Sequence, residues 1–243
     1  MRALVVSDIH SNLEAFQAVL DDAARRGGFD EIWNLGDLVG YGPDPGRCIE
    51  LLRRHSHVGV VGNHDLVAAG ALSPDDFNYN ARVAALWTAT QVNRDESQFL
   101  RSLPEVVARG ECTMVHGSLR SPVMEYLLSP ESAMGTFALM ESRICLVGHS
   151  HIPFICQEGA GTCTFNEFPE DRPVPLVGAR FIVNPGGVGQ PRDHDPRPSY
   201  AIFDSVTSTI ERHRVVYDMV ATQEKMRRAG LPEALILRLD HGV

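Results

Sequence analysis

Residues 3–12, ALVVSDIHSN, place a strand, a polar loop and the start of a helix in one short stretch. The apolar run ends in Asp8-x-His10, and Ser11 and Asn12 are residue types that favour a helix start. Apolar side chains then recur at helical spacing, at Leu13, Phe16, Val19, Leu20 and Ala23. The stretch therefore predicts a buried strand with polar side chains at its carboxyl end, leading directly into a helix.

The same order recurs twice in the next fifty residues. Residues 31–35 are strand-like, residues 36–46 form a loop rich in Gly and Pro, residues 48–52 give one apolar helix face, and residues 57–61 are strand-like again. Strands that alternate with helices predict a parallel sheet with right-handed crossovers. The functional loops of such a sheet leave the carboxyl ends of its strands.

The remainder of the chain divides into a helical part and a strand-rich part. Helices are predicted at 80–91 and 96–103, with no strand before about Val106, so we interpret residues 66–105 as an inserted helical cap. Its Phe77, Tyr79 and Trp87 either line a substrate cleft or pack against the sheet. Later strands are predicted at 112–115, 144–147, 154–157, 162–167, 180–183, 200–203 and 210–216, and a last helix at 221–230.

These elements predict a fold of the α/β (α+β) class. We expect a four-layer αββα sandwich of two mixed β-sheets flanked by helices, because several strands are close enough in sequence to form hairpins. A chain of 243 residues with 44% apolar residues can build one continuous core. We therefore expect a single domain over residues 1–243.

Charge and cysteine content limit the classes of function. A net charge of -9 disfavours long nucleic acid as a partner, because binding its backbone requires clustered Lys and Arg. The five cysteines are widely spaced and form no Cys-x-x-Cys pair, so neither a disulfide framework nor a thiolate zinc site is expected. With no apolar leader and no run of the roughly 18 residues that a membrane span needs, we expect a cytoplasmic protein without a membrane partner. The oligomeric state is left open.

Five short motifs place Asp, Asn or His directly after an apolar strand. Each has an ordinary alternative: Asp8 and Asn63 could be turn residues, and His116 could be a hydrogen-bonded core histidine. Yet five of the ten histidines lie in these motifs, beside two aspartates and an asparagine, and the ends of neighbouring parallel strands meet in space. Together they predict a metal site. The motifs are SDIHSN (7–12), NLGDLVGYG (34–42), VGNHD (61–65), MVHGS (114–118) and VGHSH (147–151).

The ordered set D-x-H, G-D, G-N-H-[DE], H and G-H-x-H resembles the calcineurin-like metallophosphoesterase superfamily, in particular its small bacterial and archaeal phosphodiesterases. The resemblance runs from Asp8 to about Arg192 and implies an αββα sandwich that holds two metal ions. It implies ligand sets for both ions, with Asp37 bridging them, and a catalytic His64 that donates a proton to the leaving group. The implied sets are Asp8, His10, Asp37 and His151 for the first ion, and Asp37, Asn63, His116 and His149 for the second.

The donor set also agrees with the chemistry. A shell of mixed oxygen and imidazole donors suits Mn, Fe, Co, Ni or Zn and argues against calcium. Two such ions, about 3.5 to 4 Å apart, can share a water molecule and lower its pKa until it is held as hydroxide. We therefore expect a dinuclear-metal-dependent phosphoesterase that hydrolyses a small phosphate ester, a phosphodiester or a nucleotide, by attack of the bridging hydroxide.

Two segments bear on the substrate. Related protein Ser/Thr phosphatases carry G-D-x-x-D-R-G, whose second Asp orients the catalytic histidine and whose Arg grips phosphate, whereas residues 36–42 are GDLVGYG. A phosphoprotein substrate is therefore disfavoured, and the residue that orients His64 is unassigned. Residues 184–193, NPGGVGQPRD, resemble a loop of the small phosphodiesterases, usually with Ser at the position of Gly187. This loop and Arg192 could contact substrate phosphate together with Asn63 and His64, or the loop is an ordinary connection.

Three alternatives remain open from the sequence alone. A non-catalytic interaction scaffold with this fold is disfavoured, because such scaffolds usually lack some ligands or the catalytic histidine, and this chain keeps all eight positions. A symmetrical dinucleoside polyphosphate hydrolase is compatible with every motif. A nuclease that acts on short single strands or dinucleotides is compatible as well.

Overall fold

The computed structural model describes all residues, 1–243, as a mixed α/β structure with two six-stranded sheets. In chain order the strands are β1 (Arg2–Val6), β2 (Glu31–Asn34), β3 (His57–Gly59), β4 (Val106–Arg109), β5 (Cys112–Val115), β6 (Ile144–Leu146), β7 (Phe154–Glu158), β8 (Cys163–Glu167), β9 (Pro173–Pro175), β10 (Phe181–Asn184), β11 (Ser199–Asp204) and β12 (Thr209–Arg214). The helices are α1 (Leu13–Arg25), α2 (Pro45–Arg53), α3 (Asn63–Ala68), α4 (Tyr79–Gln91), α5 (Arg94–Ser102), α6 (Pro130–Leu139), α7 (Met219–Arg228) and α8 (Glu233–Leu237), followed by a 3-10 turn at Arg238–Asp240.

Both sheets are mixed, as predicted. The first has the strand order β3-β2-β1-β11-β12-β9. Strands β1, β2 and β3 are parallel to one another, and β11, β12 and β9 are each antiparallel to the preceding strand in this order. The second has the order β4-β5-β6-β10-β7-β8, with β5, β6 and β10 parallel. Each sheet therefore has a parallel half whose carboxyl ends can supply functional loops.

The alternation of side chains along β1 explains the layering. Ala3 and Val5 point into the cluster between the two sheets, whereas Leu4 and Val6 belong to the cluster beneath α1 and α2. Trp33 lies between the sheets and is 1% exposed. On the outer face of the second sheet, Phe137 of α6 covers the apolar side chains of β6, β7 and β10. The four-layer αββα sandwich is thereby confirmed.

Helices α4 and α5 lie close to the two predicted helical positions, whereas the short helix α3, which begins at Asn63, was not predicted. Helix α4 packs through Ala81 and Ala84 against the carboxy-terminal helices α7 and α8. Trp87 packs against this same cluster, and Tyr79 is 79% exposed, so neither belongs to a cleft at the strand ends. That the segment is a cap inserted into a single domain stays a prediction.

Several short elements were not predicted. Helix α6 has apolar side chains on most of its surface and Gly135 in its middle, so it lacks the stripe that indicates a helix. Strand β9 is an edge strand of three residues with Pro173 and Pro175 at its ends, which is where a sheet tolerates proline. Helix α8 has only five residues. No helix of the structure has the length and apolarity needed to cross a membrane.

Backbone hydrogen bonds connect the loops at the carboxyl ends of the parallel strands. The amide of Asp8 donates to the carbonyl of Gly36 (3.1 Å), and that of Gly148 donates to His116 (2.8 Å). Val188 and Gly189 donate to the carbonyls of Ser7 (2.9 Å) and Asp8 (2.8 Å). Loops from both sheets are thus held together at one edge of the sandwich.

Replacing Trp33 with Ala tests the packing between the sheets. The change should lower the free energy of unfolding by about 3–5 kcal/mol, because it removes a fully buried aromatic side chain and leaves a cavity. Chemical denaturation monitored by circular dichroism measures this loss. Trp87→Ala is the matched control, since Trp87 is only partly buried and should cost less. Equal losses for the two variants would contradict the burial of Trp33 between the sheets.

Candidate metal centre

Two compact groups of potential metal ligands lie at the shared edge of the sheets. Asp8, His10 and His151 form the first group, and Asp37, His116 and His149 form the second. Within each group the ligand atoms lie within 4.8 Å of one another, and all six residues are buried. The structure therefore brings together residues that are up to 143 positions apart in sequence (151 − 8).

Asp37 lies between the two groups. Its Oδ2 atom is 3.6 Å from His10 Nε2 and 3.4 Å from His116 Nε2, whereas its Oδ1 atom accepts a hydrogen bond from the backbone N–H of His64 (2.9 Å). Asn63 joins the second group, because its Oδ1 atom is 3.2 Å from His116 Nε2. All seven residues predicted as ligands therefore face one small volume.

Backbone carbonyls fix which ring nitrogen each histidine presents. Since a carbonyl can only accept, His10, His116 and His151 carry a proton on Nδ1 and donate it to the carbonyls of Val39 (3.1 Å), Leu35 (2.8 Å) and Gln190 (2.5 Å). His149 is reversed and donates from Nε2 to the carbonyl of Met124 (3.2 Å). Such outer hydrogen bonds are typical of histidines that hold metal ions.

The inward-facing atoms lack ordinary partners. His10 Nε2 and His151 Nε2 are 3.2 Å apart, and with both Nδ1 atoms protonated, two lone pairs face each other when the rings are neutral. Asp8 Oδ1, 3.2 Å from His151 Nε2, is buried and has no hydrogen-bond donor. Unpaired acceptors in a buried site are costly unless a cation is shared among them. The first group therefore fits a bound metal ion.

The protonation states of three of the histidines also fit a bound metal ion. Burial lowers the pKa of His10 and of His151, and lowers that of His149 to about 3, so these rings are neutral and able to bind a cation. His116 differs: burial opposes its charge, but Asp37 outweighs burial and raises the pKa to about 9. A cation in the second group would therefore displace a proton from His116.

The backbone at the site adopts unusual conformations. Asp8, His10, Asp37, His149 and His151 all have φ between 48° and 64°, the left-handed region that L residues rarely adopt. Strain of this kind costs about 1–3 kcal/mol per residue and occurs mainly at functional sites. Five of the seven predicted ligands share it, so the loops are shaped for the position of these side chains.

Glycines allow the loops to approach the carboxylates. A Cβ atom on Gly62 would lie 2.0 Å from Asp37 Oδ1, and one on Gly148 would lie 1.9 Å from Ser7 Oγ. Ser7 Oγ in turn donates to Asp8 Oδ2 (2.7 Å). Each carboxylate thus uses one oxygen to anchor itself and directs the other into the site.

His64 is held by packing. Its ring lies against the rings of Tyr41 (4.4 Å between centroids), Phe77 (4.7 Å) and His10 (5.0 Å), and its side chain makes no hydrogen bond. A Cβ atom on Gly40, the position of the orienting Asp in the related phosphatases, would lie 2.6 Å from His64 Nδ1. Position 40 therefore faces the His64 ring, but in this chain it carries no carboxylate. Burial lowers the pKa of His64 to about 4, against the opposing effect of Asp37.

Arg192 reaches the site beside Tyr41. Its Nη2 atom donates to Tyr41 Oη (3.4 Å) and to Gln190 Oε1 (3.1 Å), and its guanidinium lies 5.7 Å from the centre of the Tyr41 ring. Position 41 is where the related phosphatases carry their phosphate-binding arginine. Arg192 thus brings a guanidinium to the same neighbourhood from a different loop.

Three amides of the loop at residues 184–193 are engaged within the protein. The N–H of Gly186 donates to Asn184 Oδ1 (2.8 Å), and those of Val188 and Gly189 donate to the carbonyls of the first motif. Asn184 Nδ2 donates to the carbonyl of Gly148 (2.7 Å). The loop's amides therefore hold the metal-site loops together, which favours a connecting role for them.

A cavity of about 290 Å³ adjoins the second group and was only partly predicted. Phe77 lines it, as one of the two alternatives for that residue supposed, together with Tyr41, Met124 and Tyr126. The Tyr126 ring stacks on His149 at 3.9 Å. No sequence signal indicated Tyr126, because it follows no strand and belongs to no motif.

Asp65 was also missed, although it belongs to the VGNHD motif. Its two oxygens accept from the backbone N–H groups of Val39 (3.0 Å) and Gly62 (3.0 Å), so it ties the second and third motifs together. Burial, reinforced by Asp37, raises its pKa to about 7. The signal that could have found it was its place in the motif, directly after two predicted site residues.

Replacing Gly62 with Ala should disturb the centre without touching a ligand. The added Cβ would meet Asp37 Oδ1 at 2.0 Å and must displace it, so we expect metal affinity to fall roughly 10- to 100-fold, as for other changes to residues that support ligands. Metal titration followed by elemental analysis measures this. Gly159→Ala is the matched control, since its nearest neighbour would be 3.6 Å away. Unchanged metal affinity in Gly62→Ala would count against Asp37 as a ligand.

Comparison with known proteins agrees with the fold and the site. Residues 1–208 match the calcineurin-like phosphoesterase superfamily domain. The crystal structure of a metallophosphoesterase from Sphaerobacter thermophilus is 44% identical, with a TM-score of 0.91 over 100% of this chain and 99% of that one. An uncharacterized protein of Methanocaldococcus jannaschii is 39% identical over 98% of this chain and 97% of its own.

A shorter match concerns an enzyme of named activity. The symmetrical bis(5'-nucleosyl)-tetraphosphatase of Psychromonas ingrahamii is 38% identical over 71 residues, which are 27% of this chain and 25% of that enzyme. The two matches that span nearly the whole chain, together with the domain match, decide the family. The chain belongs to the calcineurin-like phosphoesterase superfamily and is a phosphoric ester hydrolase.

Proposed function

We propose that the protein hydrolyses a small phosphate ester, a phosphodiester or a nucleotide, and that it uses two divalent transition-metal ions. The observation that carries this proposal is the position of Asp37 Oδ2 between the two histidine groups. One carboxylate oxygen within reach of both groups is the arrangement that a bridging ligand requires. The mixed oxygen and imidazole donors favour Mn, Fe, Co, Ni or Zn.

Each ion would be held by residues from both sheets. Asp8, His10, Asp37 and His151 would hold the first ion, and Asp37, Asn63, His116 and His149 the second. When bound, such a pair supplies an activated water molecule and polarises the phosphoryl oxygens. The remaining tasks belong to the protein: to position the ester, to neutralise its charge and to provide a proton for the leaving oxygen.

His64 is the residue we assign to the leaving oxygen. Its Nδ1 atom is buried against Gly40, so Nε2 is the atom that would donate a proton, and the negative charge of a bound ester would favour the protonated ring that burial disfavours. The contacts with Tyr41 and Phe77 hold the ring in one orientation and take the place of the missing carboxylate. Asn63 precedes it in the motif and would contact the substrate phosphate as well.

Arg192 is the residue we assign to substrate charge. Its guanidinium has no carboxylate within 4.0 Å, and its Nε atom is buried without a partner. Planar guanidinium groups bind phosphate oxygens in pairs, which suits the oxygens of an ester that do not react. The contact with Tyr41 places this charge beside the ring that packs on His64.

A symmetrical dinucleoside polyphosphate hydrolase remains the second candidate. It is favoured by the partial match to the enzyme of that name from Psychromonas ingrahamii, of which the match covers 25%. The cavity lined by Tyr41, Phe77 and Tyr126 could accept an aromatic base in either case. We also propose a cytoplasmic location, since all five cysteines are free and buried.

Activity on a generic substrate tests the proposal directly. Purified protein supplied with Mn²⁺ should release nitrophenolate from bis(4-nitrophenyl) phosphate, and a chelator should abolish the release. Asp37→Ala should lose turnover and the binding of both ions, because the carboxylate that would join them is gone. Full metal occupancy of the wild type without turnover on a broad panel of phosphate esters would instead favour a scaffold.

His64→Ala separates chemistry from metal binding. We expect turnover to fall about 10²- to 10⁴-fold, the usual effect of losing an acid catalyst, with metal content unchanged. Steady-state kinetics and elemental analysis of the same samples provide the two measurements. His55→Ala, which alters a histidine outside the site, should change neither. If His64→Ala lost its metal, the assigned role of His64 would be wrong.

A further inference from the structure

Two arginines converge on one neutral side chain next to the metal centre. Arg192 Nη2 and Arg238 Nη1 both donate to Gln190 Oε1, each at 3.1 Å. Arg238 belongs to the 3-10 turn that follows α8, and no sequence motif pointed to it. Gln190 itself is buried, so it holds both guanidinium groups at a fixed place.

No acidic side chain neutralises either guanidinium. None lies within 4.0 Å of Arg192 or Arg238, whereas Arg197 is held between Glu170 and Asp195. The other polar contacts are those of Arg192 Nη2 with Tyr41 Oη and of Arg238 Nε with a terminal oxygen of Val243, the last residue of the chain. Arg192 Nε is buried and has no acceptor. Donors therefore remain free on both groups.

Holding two such cations together is unfavourable without an anion. Both side chains are partly buried, and the pKa of Arg238 is lowered by this burial and next by the charge of Arg192. Arg192, which is partly buried and has no anionic group beside it, carries a desolvation cost that the neutral amide of Gln190 only partly offsets. Residues placed at such a cost are typical of a site that binds a negatively charged ligand.

A single residue, Gln190, contacts both the two arginines and the candidate metal ligand His151. The backbone carbonyl of Gln190 accepts from Nδ1 of His151, and its side chain accepts from both arginines. Tyr41, which contacts Arg192, has its ring 4.7 Å from that of His10 and 4.4 Å from that of His64. The pair is thus connected to the metal-site residues through Gln190 on one side and through Tyr41 on the other.

We propose that Arg238 acts with Arg192 as a subsite for a second anionic group of the substrate, a phosphate that does not react. The proposal rests on the proposed function, because it concerns the same site. It places the preferred substrates among esters that carry a further phosphate close to the reacting phosphorus. A diester whose only charge is on that phosphorus would leave the remaining donors of Arg238 without a contact to the substrate. Arg238 is thus a specificity-determining residue.

Two matched probes test the proposal. Ethyl 4-nitrophenyl phosphate and 2-phosphonoethyl 4-nitrophenyl phosphate differ only in a remote phosphonate, which cannot be hydrolysed. With Mn²⁺ present, wild type should favour the phosphonate probe in kcat/KM by at least about tenfold, the usual contribution of a hydrogen bond between charged groups. Arg238→Met should reduce this ratio to near one, and Arg238→Lys should give an intermediate ratio.

Controls separate this effect from a general loss of charge. Arg54→Met removes an arginine that is 65% exposed and pairs with Glu50 on α2, and it should keep the wild-type ratio. A wild-type ratio near one, or an unchanged ratio in Arg238→Met, would overturn the subsite while leaving the proposed function intact. If wild type cleaves neither probe, the proposed function fails and the subsite falls with it.

Wild type alone provides a second measurement that does not depend on the folding of a variant. Raising KCl from about 0.05 M to about 0.5 M should lower the ratio of the two kcat/KM values, because salt screens the attraction between the phosphonate and the arginines. The ethyl probe corrects for any effect of salt on the metal centre itself. A ratio that does not respond to salt would overturn the proposal.

Discussion

The arrangement of the site is governed by a cluster of buried hydrogen-bond acceptors around Asp37. Within this small volume lie the inward oxygens of two carboxylates and the inward nitrogens of three neutral imidazoles, and neither Asp8 Oδ1 nor the facing Nε2 atoms of His10 and His151 have a donor. Such a cluster is unfavourable in a protein interior unless positive charge is bound there. The left-handed backbone of five of these residues and the close contacts of Gly62 and Gly148 serve to keep these atoms together.

The surroundings of His64 explain how this chain differs from the protein phosphatases that it resembles. Loss of the carboxylate at position 40 and of the guanidinium at position 41 leaves room for a glycine against the ring and for a tyrosine beside it. Aromatic contacts then orient His64, and a guanidinium arrives from the loop that contains Arg192. Under the proposed function, different parts of this chain would orient the histidine and bind the phosphate.

The sequence predicted most of the fold, and the seven residues that it proposed as ligands lie together in the structure. The strand and helix around the first motif could be predicted because a short apolar run and helical spacing are local patterns. A buried strand that ends in several polar side chains also seldom serves packing alone. Arg238 and Tyr126 could not be predicted, since each reaches the site through tertiary packing and neither follows a strand. Helix α6 was missed for a different reason: its buried face includes Ser132 and Thr136, and its exposed face includes Leu139, so its sequence shows no separation of polar and apolar sides.

The division of the ligands between the two sheets has a thermodynamic consequence. Asp8, His10, Asp37 and Asn63 follow strands of the first sheet, whereas His116, His149 and His151 follow strands of the second. A cation bound by residues of both sheets would cross-link the two sheets at this edge of the sandwich. By mass action the folded state then gains stability as free metal rises above its dissociation constant. The midpoint of thermal unfolding thereby becomes a gauge of occupancy, one that is independent of any substrate.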